Sequence, residues 1–307
     1  MIFFGTSTFS TEILTRLEEL GIVPTHIVTV PDRPQGRKMI LTPPPAKVWA
    51  TERDIPVFQF EKLKPYQVTL EDDSVHTIDP VEVLQGLQSD LFIVASYGKI
   101  IPQNILDIPK FGALNVHPSL LPKYRGASPL QSTLLHNEQK LGVCIIKMDA
   151  LMDHGPIAAV EYLTPGEGKL ENWPLVFGAY EKVTARIGAE LIHHILPSIY
   201  AGTHEFTIQN HDEATFTSKI SKEDGHIKEL TEATVLTHVV PLDTYLKFCA
   251  LNEWPGVHFF RGKNGMQMRI KISEMSYDKN TKMATILKVV PEGKKEMSWK
   301  DLVNFLR

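Results

Sequence analysis

Two polar side chains, Asn115 and His117, close an apolar run that begins at Ala113 and is followed by Pro118. On a β-strand, positions i and i+2 point to the same face, so an amide and an imidazole project together where the proline should stop the strand. Ligands of open α/β sheets bind beyond the carboxyl ends of strands. The pair therefore predicts a site for chemistry. The alternative is a strand end whose polar groups bond the turn backbone.

Two other polar turns follow segments that we expect to be strands. Asp153 lies in a turn before Gly155, where an Asp commonly bonds its own backbone, and this is the alternative to a role in a site. Ser96-Tyr97-Gly98 follows the apolar run 90–95, which is typical of a buried parallel strand. A basic, glycine-containing loop occupies residues 123–129.

The elements that must position these residues alternate between strands and helices. Such alternation predicts an α/β class with a doubly wound, mostly parallel, Rossmann-like sheet. The first strand is followed by Gly5-Thr-Ser-Thr and has no G-x-G-x-x-G, so a dinucleotide site is not indicated. We expect strands at 2–4, 26–30, 55–58, 90–95, 113–117, 142–148 and 157–162, and helices at 46–53, 81–87, 105–108, 129–137 and 173–201. A further helix is expected between the first two strands, where Ile13, Leu14, Leu17 and Leu20 have helical spacing and Gly21 is placed to end it.

The chain is predicted to contain a second, smaller domain. We assign residues 1–202 to the first domain, the polar and aperiodic residues 203–216 to a linker, and 217–307 to the second domain. After a helical segment within 231–250, short β-rich runs at 257–260, 267–272 and 283–290 predict a small OB-like β-barrel. Small barrels of this kind often bind oligonucleotides.

Charge is distributed unevenly along the 307 residues. Residues 257–307 hold 11 Lys and Arg against 5 Asp and Glu, a net of +6, while the other 256 residues hold 21 against 31, a net of −10. A basic C-terminal segment on an acidic body favours a polyanionic partner, and a solvated basic face is the alternative.

Composition excludes several other classes of protein. No apolar run has membrane-spanning length, and the N-terminus starts as a strand, not as a signal or transit peptide. Cys144 and Cys249 are the only cysteines and lie far apart in sequence, which predicts no disulfide framework, no thiolate metal site and a cytoplasmic protein. The twelve histidines show no ligand spacing, so no metal is expected.

Two loop regions differ in charge. Residues 31–45 hold Arg33, Arg37 and Lys38, and three consecutive prolines with a glycine predict an irregular loop of functional importance. A mobile surface loop is the alternative. Residues 66–81 are acidic and aperiodic, and we interpret them as an exposed excursion without a catalytic role.

These motifs resemble the methionyl-tRNA formyltransferase family, within the formyltetrahydrofolate-dependent formyltransferases, and the resemblance covers nearly the whole chain. The group's shared motifs are Asn115-Val-His117-Pro-Ser-Leu-Leu-Pro122, Arg125-Gly-Ala-Ser-Pro129 and Met152-Asp153-His-Gly-Pro156. Segments similar to this family in particular are Pro31-Asp-Arg-Pro-Gln-Gly-Arg37, Lys219-Ile-Ser-Lys-Glu-Asp-Gly225, Asn252-Glu-Trp-Pro-Gly256 and Gly293-Lys-Lys-Glu-Met-Ser298. Gly5-Thr-Ser-Thr-Phe9 and Ala250-Leu251 depart from the usual pattern, as does the long excursion at 66–81.

The resemblance implies transfer of the formyl group of 10-formyltetrahydrofolate to the α-amine of methionyl-initiator tRNA. An amine attacking a formyl carbon develops an oxyanion, which amide and imidazole N–H groups of Asn115 and His117 can stabilise. A histidine that titrates near neutrality can also carry the proton. Asp153 would orient His117, favour its protonated form, or relay the proton through water, and the sequence does not separate these roles.

The same resemblance implies binding residues outside the catalytic three. The folate would lie against Ser119, Leu120, Leu121 and Pro122, and against the turn containing Ala95, Tyr97 and Gly98. Arg33, Arg37 and Lys38 would contact the tRNA near its acceptor end, and no protein partner is implied. The alternatives are an amino-sugar nucleotide formyltransferase, a formyltetrahydrofolate hydrolase and a non-catalytic RNA-binding protein.

Overall fold

A computed structural model describes residues 1–36, 38–70, 72–228, 230, 237–263 and 266–306. Its helices are α1 (Thr8–Glu19), α2 (Pro45–Thr51), α3 (Pro80–Gly86), α4 (Gln103–Leu106), α5 (Pro129–Leu135), α6 (Phe177–Ala201), α7 (Leu242–Leu251) and α8 (Trp299–Leu306). Its strands are β1 (Ile2–Gly5), β2 (His26–Thr29), β3 (Arg33–Gln35), β4 (Ile40–Thr42), β5 (Val57–Gln59), β6 (Tyr66–Thr69), β7 (Val75–Ile78), β8 (Phe92–Ala95), β9 (Ala113–His117), β10 (Arg125–Gly126), β11 (Leu141–Lys147), β12 (Ile157–Leu163), β13 (Phe216–Thr217), β14 (Val239–Pro241), β15 (His258–Lys263), β16 (Met266–Asp278), β17 (Met283–Pro291) and β18 (Met297–Ser298).

The chain divides into two compact units that do not follow the sequence as simple halves. The first unit comprises residues 1–125, 142–162 and 182–215, and the second comprises 126–141, 163–181 and 216–307. The division falls inside α6, because residues 177–181 group with the second unit. The predicted division into a domain at 1–202, a linker at 203–216 and a domain at 217–307 stays a prediction.

The first unit is built on a mostly parallel sheet, as the sequence predicted. Among the described residues, seven strands pair in the order β12-β11-β9-β8-β1-β2-β5. From β5 to β9 every pair is parallel, and β11 runs antiparallel to β9. The four residues of β1 and of β8 are all buried, which accounts for their nearly continuous apolar sequences.

Two helices cover this sheet through closely fitting residues. The apolar positions of α1 recur at helical spacing, and Ile13, Leu14 and Leu17 are fully buried. In α6, a β-carbon added at Gly188 would lie 2.3 Å from a methyl group of Val116 in β9. The absent side chain therefore lets α6 approach the strand that carries Asn115 and His117.

Two segments that we expected to be irregular contain β-hairpins. Within 31–45, β3 and β4 pair as an antiparallel hairpin whose turn includes Gly36 at φ +68°. Within 66–81, β6 and β7 do the same, with Asp73 at φ +63° in the connection. Both expectations of irregular structure were wrong because short strands pair with each other across residues at positive φ, although Arg33-Pro-Gln35 of β3 has no preference of its own for a strand.

The second unit contains an antiparallel, half-barrel sheet, in agreement with the predicted β-rich domain. In the described part of the chain, β14, β17, β16 and β15 pair in that order and β18 pairs with β17. A register shift between Ile272 and Glu274 bends the long strand β16. The helix expected within 231–250 is confirmed for α7, and residues 231–236 lie outside the described residues.

Across the residues that the structure describes, no helix is both long enough and apolar enough to span a membrane.

Candidate active site

Asn115 and His117 share one face of β9, as predicted from their spacing. His117 is 3 % exposed and Asn115 is half-buried. The parallel strand β8 places Val94 beside Asn115. The antiparallel strand β11 places Ile146 opposite Asn115 and Cys144 opposite His117. The two polar groups therefore rise from an apolar, tightly paired part of the sheet.

The two ring nitrogens of His117 face different partners. Nε2 lies 3.0 Å from the backbone carbonyl oxygen of Tyr124, and Nδ1 lies 3.5 Å from Oδ1 of Asp153. A carbonyl oxygen can only accept a hydrogen bond, so Nε2 carries a hydrogen and donates it to Tyr124. Nδ1 is consequently the nitrogen that is available for proton exchange.

Asp153 joins the pair from the loop that follows β11. Its Oδ1 accepts a 3.4 Å hydrogen bond from Nδ2 of Asn115, and its backbone has φ +50°. Two residues later, a β-carbon on Gly155 would lie 1.8 Å from the carbonyl oxygen of Lys147, so only glycine fits this close return of the loop. The structure thus brings together the three residues that the sequence singled out.

Two residues from the segment expected to be a linker also contact this region. Gln209 is 4 % exposed, and its Nε2 donates to the carbonyl oxygens of Asp153 at 2.9 Å and of Gly155 at 2.7 Å. Thr215 Oγ1 accepts a 2.9 Å hydrogen bond from the backbone N–H of Tyr124. The sequence carried no signal for either contact, because both residues lie in a polar stretch without periodicity.

A pair of stacked imidazoles lies next to the Asp153 loop. The rings of His154 and His211 are parallel within 6° with centroids 4.0 Å apart, and Nδ1 of His154 lies 2.7 Å from Oδ2 of Asp149. Loss of solvent contact, followed by the neighbouring His154 and Arg125, lowers the pKa of His211. Arg125 also donates to Nδ1 of His211 at 2.9 Å, so this ring is held as a neutral acceptor.

The residues predicted to bind the folate differ in how far their side chains are exposed to solvent. Ser119 is 1 % exposed and donates to the carbonyl oxygen of Lys123, and Leu121 is also buried. Leu120 and Pro122 are half-buried, and the Leu121-Pro122 bond is cis. The surface of this turn is therefore formed by Leu120 and Pro122 and not by the serine hydroxyl.

The turn after β8 is also largely occupied by internal contacts. Ala95 O accepts from Ser10 Oγ, and Tyr97 O accepts from Thr6 Oγ1, both at 2.7 Å. The Tyr97 ring packs edge-on against Phe4 in the core, and burial raises the pKa of its hydroxyl. Gly98 is exposed, and the side chains of Ile100, Leu151 and Met152 are 80 %, 62 % and 55 % exposed on the loops that follow β8 and β11.

Two of the three residues predicted to contact tRNA, Arg33 and Lys38, lie on the β3–β4 hairpin. Arg33 is exposed and forms a 3.0 Å ion pair with Glu61, while Lys38 is exposed in the turn. Arg37 lies outside the described residues. Three apolar residues next to Lys38 are also exposed, namely Met39, Ile40 and Leu41.

Within the described ranges, no three His, Cys, Asp or Glu side chains lie close enough to hold a metal ion.

Similarity to known proteins is extensive. The formyl transferase family matches residues 1–164. The methionyl-tRNA formyltransferase of Staphylococcus epidermidis is 36 % identical over 256 residues, covering 82 % of this chain and 76 % of the relative. That of Dictyoglomus thermophilum is 33 % identical over 331 residues, covering 100 % of this chain and 97 % of the relative. A sugar 3N-formyl transferase solved in the presence of dTDP and 5-N-formyl-THF has the same fold, with a TM-score of 0.57, 13 % identity, and coverage of 91 % of this chain and 86 % of that one.

Proposed function

Because the chain belongs to the methionyl-tRNA formyltransferase family, we propose that it transfers the formyl group of 10-formyltetrahydrofolate to the α-amine of methionyl-initiator tRNA, for translation initiation. The observation that carries the proposal is the convergence of Asn115, His117 and Asp153. Their amide, imidazole and carboxylate groups meet at one carboxylate oxygen. Binding RNA alone would require no such arrangement.

Each of the three side chains has a role that follows from its contacts. Asn115 Nδ2 is a donor suited to the oxyanion that develops on the formyl oxygen during attack by the amine. His117 donates from Nε2 to Tyr124, which leaves Nδ1 to receive the proton of the attacking amine. The same proton can then pass to N10 of the folate as the bond between N10 and the formyl carbon breaks. Asp153 lies 3.5 Å from that nitrogen and can share a proton held there.

The folate supplies the formyl group at its N10 nitrogen, and its flat ring system requires apolar surfaces together with free backbone polar groups. We propose that Leu120, Pro122 and Gly98 contribute to its site together with the exposed apolar side chains on the loops after β8 and β11. The hydroxyl of Ser119 and the ring of Tyr97 support these loops from inside. A protein of the same fold was solved in the presence of 5-N-formyl-THF, which supports folate binding by this chain but not the choice of particular residues.

The proposed tRNA contacts involve two parts of the chain. We propose that Arg33, Arg37 and Lys38 contact the acceptor end of the tRNA, and that residues 217–307 add phosphate contacts. The ion pair of Arg33 with Glu61 is exposed, so an incoming phosphate can compete for the guanidinium. Free Cys144 and Cys249 fit the proposed cytoplasmic location.

The experiment that tests the activity offers one labelled donor to several acceptors. Purified protein is incubated with 10-formyltetrahydrofolate carrying a labelled formyl group and with methionyl-tRNA, uncharged tRNA, an amino-sugar nucleotide, or buffer. We expect label only on the methionine amine of methionyl-tRNA. Label on the sugar would indicate a sugar formyltransferase, and labelled formate without an acceptor would indicate a hydrolase. Either result would replace the proposed function.

A further inference from the structure

Residues 207–215, here called the strap, belong to the first unit and are folded against other segments of it. Thr207 exchanges two 2.8 Å backbone hydrogen bonds with Ile157 of β12. Residues 211–213 form a turn of 3₁₀ helix, and the side chain of Gln209 is buried. The segment therefore has its own defined structure, although it has the polar, aperiodic sequence that is typical of a linker.

The first end of the strap holds the loop of Asp153. The side-chain amide of Gln209 makes three hydrogen bonds. Its Nε2 donates to Asp153 O and Gly155 O, and its Oε1 accepts from Arg125 Nη2 at 2.6 Å. Asp153 has φ +50°, a left-handed conformation that is uncommon for residues other than glycine, and although Asp tolerates it better than most residues, contacts from its surroundings help to enforce it. The Gln209 amide supplies such enforcement from inside the loop.

The other end of the strap holds the second partner of His117. Thr215 Oγ1 accepts from Tyr124 N at 2.9 Å, and Thr215 O accepts from Arg125 N at 2.8 Å. Tyr124 also has a positive φ, of +60°. Its carbonyl oxygen is the acceptor for His117 Nε2. The strap therefore fixes the groups that face both ring nitrogens of His117.

We infer that Gln209 and Thr215 are positioning residues for formyl transfer, which act by aligning Asp153 and the Tyr124 carbonyl on the two nitrogens of His117. This inference rests on the proposed function. A displacement of about 1 Å in a catalytic group can cost about 10²-fold in rate, so backbone partners that fix such groups affect turnover without touching substrate. Loss of a positioning contact should lower kcat and leave the KM for both substrates near the wild-type value.

The first test uses the exposed end of the strap, where folding is not at risk. Thr215→Val keeps the shape of the side chain but removes the acceptor for Tyr124 N, while Thr215→Ser keeps the hydroxyl. We expect Thr215→Val to lower kcat by about tenfold, and Thr215→Ser to retain the wild-type kcat. Equal kcat values for these two variants would overturn the role of the hydroxyl.

The second test uses a matched pair of charge changes at neighbouring positions. Gln209→Glu keeps the acceptor for Arg125 and removes the donor to the two carbonyl oxygens, whereas Asn210→Asp makes the same change on an exposed side chain. We expect a fall in kcat of about 10²-fold for Gln209→Glu alone, with unchanged KM. If Gln209→Glu does not fold, the Thr215 pair decides the question.

The outcomes separate this inference from the proposed function. If the wild type transfers the formyl group and both Thr215→Val and Gln209→Glu keep the wild-type kcat, the inference alone is overturned. Changes in thermal stability or KM with unchanged kcat would show a purely structural role and would also overturn it. A wild type that transfers no formyl group to any acceptor would overturn the proposed function and this inference with it.

Discussion

His117 is a residue whose tautomer is determined by its backbone partner. Because Tyr124 O accepts from Nε2, the proton taken up during catalysis must reside on Nδ1, next to Asp153. Cys144 lies directly opposite His117 on the neighbouring strand, and burial raises the pKa of its thiol to about 11. The thiol is therefore a neutral packing group beneath the site and not a nucleophile.

This view of the thiols predicts slow alkylation of the native protein. Burial also raises the pKa of Cys249, to about 12. Since both values lie well above pH 8, we expect mass spectrometry to find neither cysteine modified by iodoacetamide at pH 8 in the native state, and both modified after unfolding. Rapid labelling of native Cys144 would contradict the description of a closed strand pair at this position.

At the scale of elements, α6 is held to α1 by a network of ion pairs. Glu19 lies 2.9 Å from Arg16 and 2.7 Å from Arg186, and Arg16 also pairs with Glu190 at 2.9 Å. Hydrogen bonds from Arg186 and then Arg16 lower the pKa of Glu19 to about 2. The network joins α1 to the same helix that approaches β9 at Gly188.

The lowered pKa of Glu19 predicts how this network depends on pH. A carboxylate with a depressed folded-state pKa contributes stability that is complete above its unfolded value near 4.5 and is lost as the pH falls toward about 2. We expect Glu19→Gln to lower Tm slightly at pH 7, and the difference from wild type to shrink as pH falls from 5 to 3. The effect should be small and reduced by salt, because the pair is partly exposed.

A control and a contradicting result make this measurement specific. Glu205→Gln removes an exposed carboxylate from the same unit and should leave Tm unchanged at each pH. A Tm difference for Glu19→Gln that stays constant from pH 7 to pH 3 would contradict the ion-pair explanation.

The elements could be predicted from sequence where local patterns determine them. The apolar run of β8 and the helical spacing in α1 identified both elements, and the spacing of Asn115 and His117 identified their shared face. The hairpins β3–β4 and β6–β7 were missed because their short strands are stabilised by pairing with each other. Local sequence patterns do not reveal such pairing.

Local sequence patterns were also insufficient to predict every contact in the candidate site. Asp153 could be related to His117 through the family's motifs. The role of Gln209 instead depends on contacts with Asp153 and Gly155, which lie 56 and 54 positions earlier in the chain. The contact of Tyr124 with His117 uses a backbone carbonyl, and backbone atoms are the same in every residue. Side-chain type therefore could not indicate that contact.

At the scale of the whole molecule, charge separates the C-terminal part of the chain from the rest. Residues 257–307 carry a net charge of +6, and the other residues carry −10. Binding that depends on phosphate contacts releases counterions and weakens as salt rises, with a slope set by the number of contacts. The charge distribution therefore predicts binding of methionyl-tRNA that depends steeply on salt.

This prediction can be tested with paired neutralisations. Lys294→Gln with Lys295→Gln removes two exposed charges from the basic segment, and we expect weaker methionyl-tRNA binding and a shallower dependence of log Kd on log salt. Lys110→Gln removes a cation close to the amino end of β9 and should change neither quantity. Equal effects of both changes would mean that the basic segment has no special part in binding.

The central claim is that formyl transfer to methionyl-tRNA depends on His117. The most direct measurement compares the single-turnover rate of label transfer from 10-formyltetrahydrofolate to methionyl-tRNA in His117→Ala and in His193→Ala, which alters an exposed histidine of α6. We predict a fall of about 10² to 10⁴-fold for His117→Ala, with an unchanged circular dichroism spectrum, and no change for His193→Ala. A folded His117→Ala protein that transfers formyl at the wild-type rate would contradict the account.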